Sequence, residues 1–215
     1  MTQAGRDMCR SSPALKLSDR MLLGYSRAWG AVAAGVTMLA VGGTQYGFGV
    51  VSLGTMGHGG AHWGPLAAGW GFAAWIACQS AAIGALLWLR RRLRCDPAAA
   101  VTVGAVCCAL GLLLVSRIAD PVGALTVYTV SAGTGAGLVY GACVTVIADW
   151  FPGLPVPAVL VSGVFGTGAV QVALAIAGVA ASAAPLNALA WVITTVTALC
   201  APLLRDAPRT LSHHP

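Results

Sequence analysis

The chain alternates long apolar segments with short polar breaks, a pattern that predicts membrane-spanning helices. Residues 28–89 contain no Asp, Glu, Lys or Arg. This run is longer than a single crossing requires, at roughly 20 residues per span, so it must hold two helices. The glycine-rich stretch at residues 54–65 interrupts the run and supplies the break.

Further polar breaks divide the rest of the chain, and the sequence predicts six helices in all. The predicted helices cover residues 28–52, 66–89, 98–116, 122–148, 158–181 and 186–204. We expect residues 1–27 and 205–215 to be polar tails. The first apolar run is long enough to span a membrane, so it is predicted to be an uncleaved helix and not a signal peptide.

Composition agrees with this pattern. The chain is 58% hydrophobic and 8% charged, whereas soluble domains carry roughly 25% charged residues. The sequence therefore predicts an all-α integral membrane protein with six transmembrane helices. The net charge of +6 does not indicate a nucleic-acid partner, because the cations lie at segment ends and not on one folded surface.

The distribution of basic residues predicts the orientation. With six helices both termini lie on one side, and that side carries eleven of the twelve Lys and Arg residues, leaving Arg117 on the other. The positive-inside rule therefore predicts cytoplasmic termini. The second loop, predicted to be cytoplasmic, contains Arg90, Arg91, Arg92 and Arg94, which we expect to contact anionic lipid headgroups.

Glycines in the fourth predicted helix indicate a packing face. Gly133, Gly137 and Gly141 recur every fourth residue, so one helix face is clear of side chains and another backbone can approach it. A dinucleotide-binding G-x-G-x-x-G turn is excluded by spacing, since Tyr140 and Gln171 stand where the third glycine belongs. Further packing glycines are predicted in helix five at Gly163, Gly166 and Gly168.

Three stretches together resemble a known family. They are Gly-Thr-Gln-Tyr-Gly-Phe-Gly at residues 43–49, the glycine pattern at 133–141, and Trp-Phe-Pro at 150–152 followed by the helix-five glycines. Over residues 27–205 the chain resembles the N-terminal six-helix half of the major facilitator superfamily, with the closest likeness to oxalate/formate antiporters. The resemblance implies two inverted three-helix repeats and transport of a small carboxylate by alternating access.

The resemblance also implies candidate substrate-binding residues. Gln45 and Tyr46 match the polar-aromatic pair of helix one in that family, and Tyr140 matches its helix-four tyrosine. An amide and two phenols can hydrogen-bond carboxylate oxygens while the rings limit the size of the cavity. A plain helix-packing role for these three residues stays open at this point.

The sequence departs from the family in two respects. It holds no second set of six helices, from which the family's substrate-neutralising cations come, and no predicted span contains Lys or Arg. The superfamily has a second-loop motif that reads roughly G-x-x-x-D-R-x-G-R-R. When the motif is aligned from Gly84, Trp88 stands at the aspartate position and Arg91 at the position of the second glycine. We therefore expect a half-length carrier that pairs with a second copy or a separately encoded half, with a small organic anion as substrate. The alternative is a non-transporting membrane protein, either a degenerate carrier fragment or a structural or regulatory subunit.

Other chemistry finds little support in the sequence. There is no Glu, and the six Asp lie at predicted membrane edges or in tails, so we expect no enzymatic activity. His58 and His62 are only two ligands and do not make a metal site. The seven cysteines lack a C-x-x-C pair, and neither disulfides nor a cofactor is expected. Abundant Arg, Ala and Gly with a single Lys indicate a GC-rich bacterial genome, and hence the cell membrane as the location.

Overall fold

A computed structural model describes residues 17–49, 65–93, 95–170 and 184–206. The described residues are helical, without a strand among them, which confirms the all-α prediction. The helices within the described ranges are α1 (Leu17–Tyr46), α2 (Pro65–Leu93), α3 (Pro97–Val115), α4 (Pro121–Trp150), α5 (Pro155–Gly166) and α6 (Ala184–Cys200), the last followed by a 3-10 turn at Ala201–Leu203.

Four stretches of the described helices are long and apolar enough to cross a membrane. They are Gly69–Leu93, Pro97–Val115, Pro121–Trp150 and Leu186–Leu203. A fifth apolar stretch, Pro155–Val170, is shorter as described, and α1 is not in the set. These helices indicate a membrane-embedded protein.

The helix ends differ from the predicted ones because an apolar run shows only which residues a membrane can cover. It does not show how far the helix extends into the polar residues on either side. The helix α1 begins at Leu17, so residues 17–27, predicted as tail, are helical. Similarly, α2 continues to Leu93 through arginines that were expected in a loop. Backbone hydrogen bonding continues past the last apolar residue when nothing stops it. The predicted ends at residues 52 and 181 lie outside the described residues, as do Arg94, His58 and His62.

Two helices begin with the same Asp-Pro pair. Asp96 precedes Pro97 and accepts a hydrogen bond from the backbone N–H of Ala98, and Asp120 precedes Pro121 and accepts one from Gly123 at 2.7 Å. Aspartate satisfies an otherwise unpaired amide at a helix start, and proline fits the first helical position. The sequence thereby fixes where α3 and α4 start.

The helix α4 is the central element of the bundle. It contacts α1, α2, α3 and α5, and its most extensive interfaces are with α3 and α2. Ala132, Ala136, Val139 and Val146 along its length are fully buried. The other helices are therefore positioned through α4.

The contacts follow a pattern that repeats between the two halves of the chain. Within the described residues, α4 packs on α2 and α3, and α1 packs correspondingly on α5 and α6; α1 also contacts α4, and α3 contacts α6. Exchanging α1, α2 and α3 for α4, α5 and α6 turns each of these contacting pairs into another contacting pair, and the interfaces of α4 are more extensive than the corresponding ones of α1. The α4–α5 contact and the small α1–α3 contact have no counterpart of similar extent in the described ranges.

Glycines let the backbones of α4 and α2 approach each other. A Cβ atom added to Gly133 would lie 2.8 Å from the carbonyl oxygen of Trp75, and one added to Gly137 would overlap the carbonyl oxygen of Gln79. Neither position has room for a methyl group. One edge of α4 is therefore in direct backbone contact with α2.

A second face of α4 packs equally closely on α3, and the every-fourth-residue pattern did not predict it. Cβ atoms added to Gly135 and Gly104 would each meet the other's carbonyl oxygen. The thiol of Cys108 also lies 2.7 Å from the Cβ position of Gly135. Thus α4 carries glycines toward two neighbours at once.

The predicted glycines of α5 fall into different environments. Gly168 packs on the backbone of Gly42 and Gly43 in α1, and an added Cβ would lie 2.5 Å from the Gly43 nitrogen. Gly163, in contrast, has no described atom within 4 Å of its Cβ position, and Gly166 has only the Tyr46 hydroxyl, at 3.6 Å. Of these three, only Gly168 lies at a close helix crossing.

Gly141 occupies a looser position at the end of the α2–α4 interface. Its Cβ position lies 3.2 Å from a methyl group of Leu86, a side chain that can shift. The tight part of this interface is therefore confined to the two earlier glycines of the series.

The α2–α4 contact predicts that Gly137→Ala destabilises the bundle. The added methyl group would overlap backbone, and overpacking of this kind costs about 1–3 kcal/mol of unfolding free energy. Gly84→Ala is the matched control, because Gly84 is exposed on α2 and its Cβ position is free of described neighbours. Thermal unfolding in detergent should show a lower midpoint for Gly137→Ala only. Equal midpoints for the two variants would contradict the contact.

Candidate functional site

Two of the three candidate substrate-binding residues lie on either side of α5. The Tyr46 hydroxyl in α1 lies 3.6 Å from the Cβ position of Gly166. The Tyr140 ring in α4 packs edge-on against Phe165, with 5.4 Å between the ring centroids. The structure therefore brings the two tyrosines to adjacent residues of one helix.

The polar groups of these residues are accessible. Tyr46 is 41% exposed, and Gln45 and Tyr140 are partly buried. Within the described part of the chain no hydrogen bond occupies the Gln45 amide or the two phenolic hydroxyls. Two phenols and an amide are thus available to donate hydrogen bonds to a ligand.

The end of α1 that carries Gln45 and Tyr46 is tied to α4. The buried Tyr128 hydroxyl donates a 2.5 Å hydrogen bond to the carbonyl oxygen of Thr44, and the Tyr128 ring lies 6.2 Å from that of Phe48. This contact fixes α1 against the start of α4. Because Thr44 immediately precedes Gln45 and Tyr46, the same hydrogen bond restrains the backbone that carries the candidate side chains.

A short sequence repeat relates the two tyrosines, and the hydrophobic pattern and glycine spacing did not reveal it. Residues 43–47 and 137–141 share the pattern Gly-x-x-Tyr-Gly. The first copy lies at the end of α1 and the second within α4, helices that exchange places in the contact pattern. An internal comparison of helices one and four could have found this signal.

The candidate site has no cation of its own. Between Ala28 and Tyr46, throughout α4 and throughout α5 there is no Lys or Arg. Neutral donors alone can orient a carboxylate but do not neutralise it in a low-dielectric setting. A second contributor of positive charge is needed for an anion to be held there.

One end of the bundle carries a charged cluster around Arg90. Its guanidinium donates to the Thr145 hydroxyl at 2.6 Å, to the Asp149 carboxylate at 3.1 Å and to the Asp206 carboxylate at 2.5 Å. The Arg90 side chain is only 13% exposed. Asp149 lies at the C-terminal end of α4, where the helix dipole disfavours negative charge, so a cation stabilises it there.

A second link joins the same segments. The Trp150 indole N–H donates to the carbonyl oxygen of Arg205 at 2.8 Å. With the Arg90–Asp206 ion pair, it holds the residues after α6 against the ends of α2 and α4. We use the name C-terminal clasp for these contacts, namely the ion pairs of Arg90 with Asp149 and Asp206 and the hydrogen bond between Trp150 and Arg205.

The arginine cluster differs from the expected lipid-binding loop. Arg90, Arg91 and Arg92 form the last turn of α2, and Arg90 is used inside the protein, whereas Arg91 and Arg92 are exposed. The partners of Arg90 come from distant parts of the chain, which spacing along the sequence does not reveal. Among the described arginines of this cluster, Arg91 and Arg92 are therefore the ones exposed to lipid headgroups.

No group of three His, Cys, Asp or Glu that could hold a metal occurs in the described ranges. Comparison with protein-family models, with curated proteins and with solved structures gave no match. The functional interpretation therefore depends on the geometry and on the residues themselves.

The C-terminal clasp predicts that Arg90→Gln lowers stability by about 1–2 kcal/mol, since both carboxylate partners are half exposed and solvent screens the pairs. Arg91→Gln, one residue away and exposed, is the control and should leave the midpoint of thermal unfolding unchanged. A double-mutant cycle with Asp206→Asn should give a coupling energy above zero. Additive effects of Arg90→Gln and Asp206→Asn would show that the pair does not contribute.

Proposed function

We propose that these six helices are one half of a carrier of the major facilitator type, with a small carboxylate as substrate. The observation that carries the proposal is the repeated contact pattern, in which α1, α2 and α3 exchange with α4, α5 and α6. Carriers of this class are built from three-helix repeats, and the two repeats are related by a pseudo-two-fold axis that lies in the membrane plane.

The directions of the helices support inversion. The Cβ position of Gly30, near the start of α1, lies 3.9 Å from the indole nitrogen of Trp150 at the end of α4, while Thr44 near the end of α1 is bonded to Tyr128 near the start of α4. Helices α1 and α4 are therefore antiparallel. Two equivalent helices that run in opposite directions are what inverted repeats require.

The two tyrosines support a substrate site between the repeats. Each belongs to a copy of Gly-x-x-Tyr-Gly, and both lie beside Phe165 and Gly166 of α5. With Gln45 they offer neutral hydrogen-bond donors suited to carboxylate oxygens. The substrate class comes from the resemblance to oxalate/formate antiporters together with this chemistry.

A carrier of this class needs a second six-helix unit, which we propose is a second copy of this one or a separately encoded half. That unit closes the cavity and supplies the missing cation. Large exposed apolar residues on α2 and α6, including Trp70 and Trp191 at 71% and 69% exposure, leave surface for lipid or for such a partner. The basic side, which includes both termini, is proposed to be cytoplasmic, in a bacterial cell membrane.

The runner-up is a non-transporting membrane protein that assembles with others. It is favoured by the absence of Lys and Arg from the candidate site and by the Arg90 contacts, which tie one end of the bundle together. The mass of the complex in lipid nanodiscs tests the carrier, and where a complex forms, uptake of oxalate or formate into proteoliposomes separates the two proposals. A single six-helix unit without a partner would contradict the carrier, and a dimer or heterodimer agrees with it.

The proposed site predicts reduced uptake for Tyr46→Phe and for Tyr140→Phe. Each change removes one hydroxyl donor and keeps the ring, so the KM for oxalate or formate should rise about three- to tenfold in proteoliposomes, the effect of losing one hydrogen bond. Tyr25→Phe is the control, since Tyr25 is 64% exposed at the basic end. An equal KM for all three variants and the parent would contradict the assignment of the tyrosines.

A further inference from the structure

A shallow cavity of about 540 Å³, wide open to the surface, lies at the basic end of the bundle, away from the two tyrosines. It is formed between the start of α1, at Gly24, Arg27 and Ala28, and the α4–α5 turn. The turn is shaped by Gly153, whose backbone φ of 76° lies in the left-handed region that glycine adopts readily. The cavity is large enough to hold a small ligand or a lipid headgroup.

Arg27 provides the positive charge of this cavity. Its guanidinium carbon lies over the Phe151 ring, 3.9 Å from the ring centroid, which is a cation–π contact. An aromatic ring supplies no oxygen acceptor, so this contact leaves the guanidinium N–H groups to find acceptors elsewhere.

Among the described residues, these N–H groups have no acceptor in the protein. The Arg27 Nε atom is buried and has no hydrogen-bond partner in that part of the chain. The carboxylates that form ion pairs there, Asp149 and Asp206, are both bonded to Arg90. No described carboxylate therefore neutralises Arg27, and a partly buried cation without a counterion is costly, so the site is suited to an added anion.

The remaining walls of the cavity are apolar and open outward. Leu154 and Val156 are 55% and 63% exposed, and Pro157 continues the same wall at the start of α5. A freely soluble anion gains nothing from such a wall. An acyl chain does gain, at about 0.8 kcal/mol for each methylene group it buries.

The position of the cavity agrees with a lipid ligand. The cavity lies where an apolar helix of membrane-spanning length, Pro121–Trp150, ends, and the exposed arginines Arg91 and Arg92 end the neighbouring α2. Trp150 and Phe151 next to it are residue types that lie at the headgroup level of a bilayer.

We propose that this cavity binds an anionic phospholipid. The Arg27 guanidinium holds the phosphate and the Leu154–Val156–Pro157 wall contacts the upper part of an acyl chain. The site is separate from the tyrosine site, and the proposal holds whether or not the protein transports a substrate.

The test is native mass spectrometry of the full chain released from nanodiscs that contain equal amounts of phosphatidylglycerol and phosphatidylcholine. The parent protein should retain phosphatidylglycerol with about a tenfold preference, because both lipids carry a phosphate but the guanidinium repels the choline cation of phosphatidylcholine, and Arg27→Gln should lose that preference. Arg91→Gln removes one exposed charge at the same end but outside the cavity, so it should lower the preference far less than Arg27→Gln does. Inorganic phosphate added in excess should not displace the lipid.

Two further variants guard against misfolding of Arg27→Gln, which is checked by its elution on gel filtration. Phe151→Leu removes the stacked ring and should weaken retention, and Val156→Asn makes the wall polar while keeping the cation and should weaken it as well. Equal losses for Arg27→Gln and Arg91→Gln would overturn the site in favour of general charge attraction. Displacement by inorganic phosphate, or unchanged retention in Val156→Asn, would show a free-anion site and not a lipid site.

Discussion

Backbone contact at the glycines of α4 is the constraint on which the bundle depends. Inside a membrane, apolar side chains gain little by leaving lipid for protein, so helices associate where their backbones can come close. Gly133 and Gly137 allow this toward α2, and Gly135 allows it toward Gly104 of α3. Two helices are thereby held on one central helix, and α1 makes a similarly close approach at Gly42 to Gly168, just after α5.

The sequence predicted the all-helical fold and the starts of α3 and α4, because long apolar runs and Asp-Pro pairs are local signals. It did not predict where α1 begins or where α2 ends, since charged residues continue a helix outside the apolar region. The every-fourth glycines indicated one face of α4 but not its neighbour. The second face at Gly135 requires knowledge that α3 packs there, which no single-helix period contains.

For the candidate site, the family resemblance proposed Tyr46 and Tyr140, and their shared neighbourhood at Phe165 and Gly166 became visible only in three dimensions. The charged end was less predictable. Asp206 is 116 residues from Arg90, and nothing along the chain relates the two. Interactions between residues far apart in the sequence depend on how the helices pack, so they cannot be predicted before the fold is known.

The C-terminal clasp has a consequence for the order of events during biosynthesis. The ribosome makes Arg90 long before it makes Asp206, which is among the last described residues. While α3 to α6 enter the bilayer, the guanidinium has only Thr145 and Asp149 to pair with, and before α4 arrives it has neither. The basic end of the bundle therefore closes only after α6 has been made, because Asp206 and the carbonyl group of Arg205 both follow that helix.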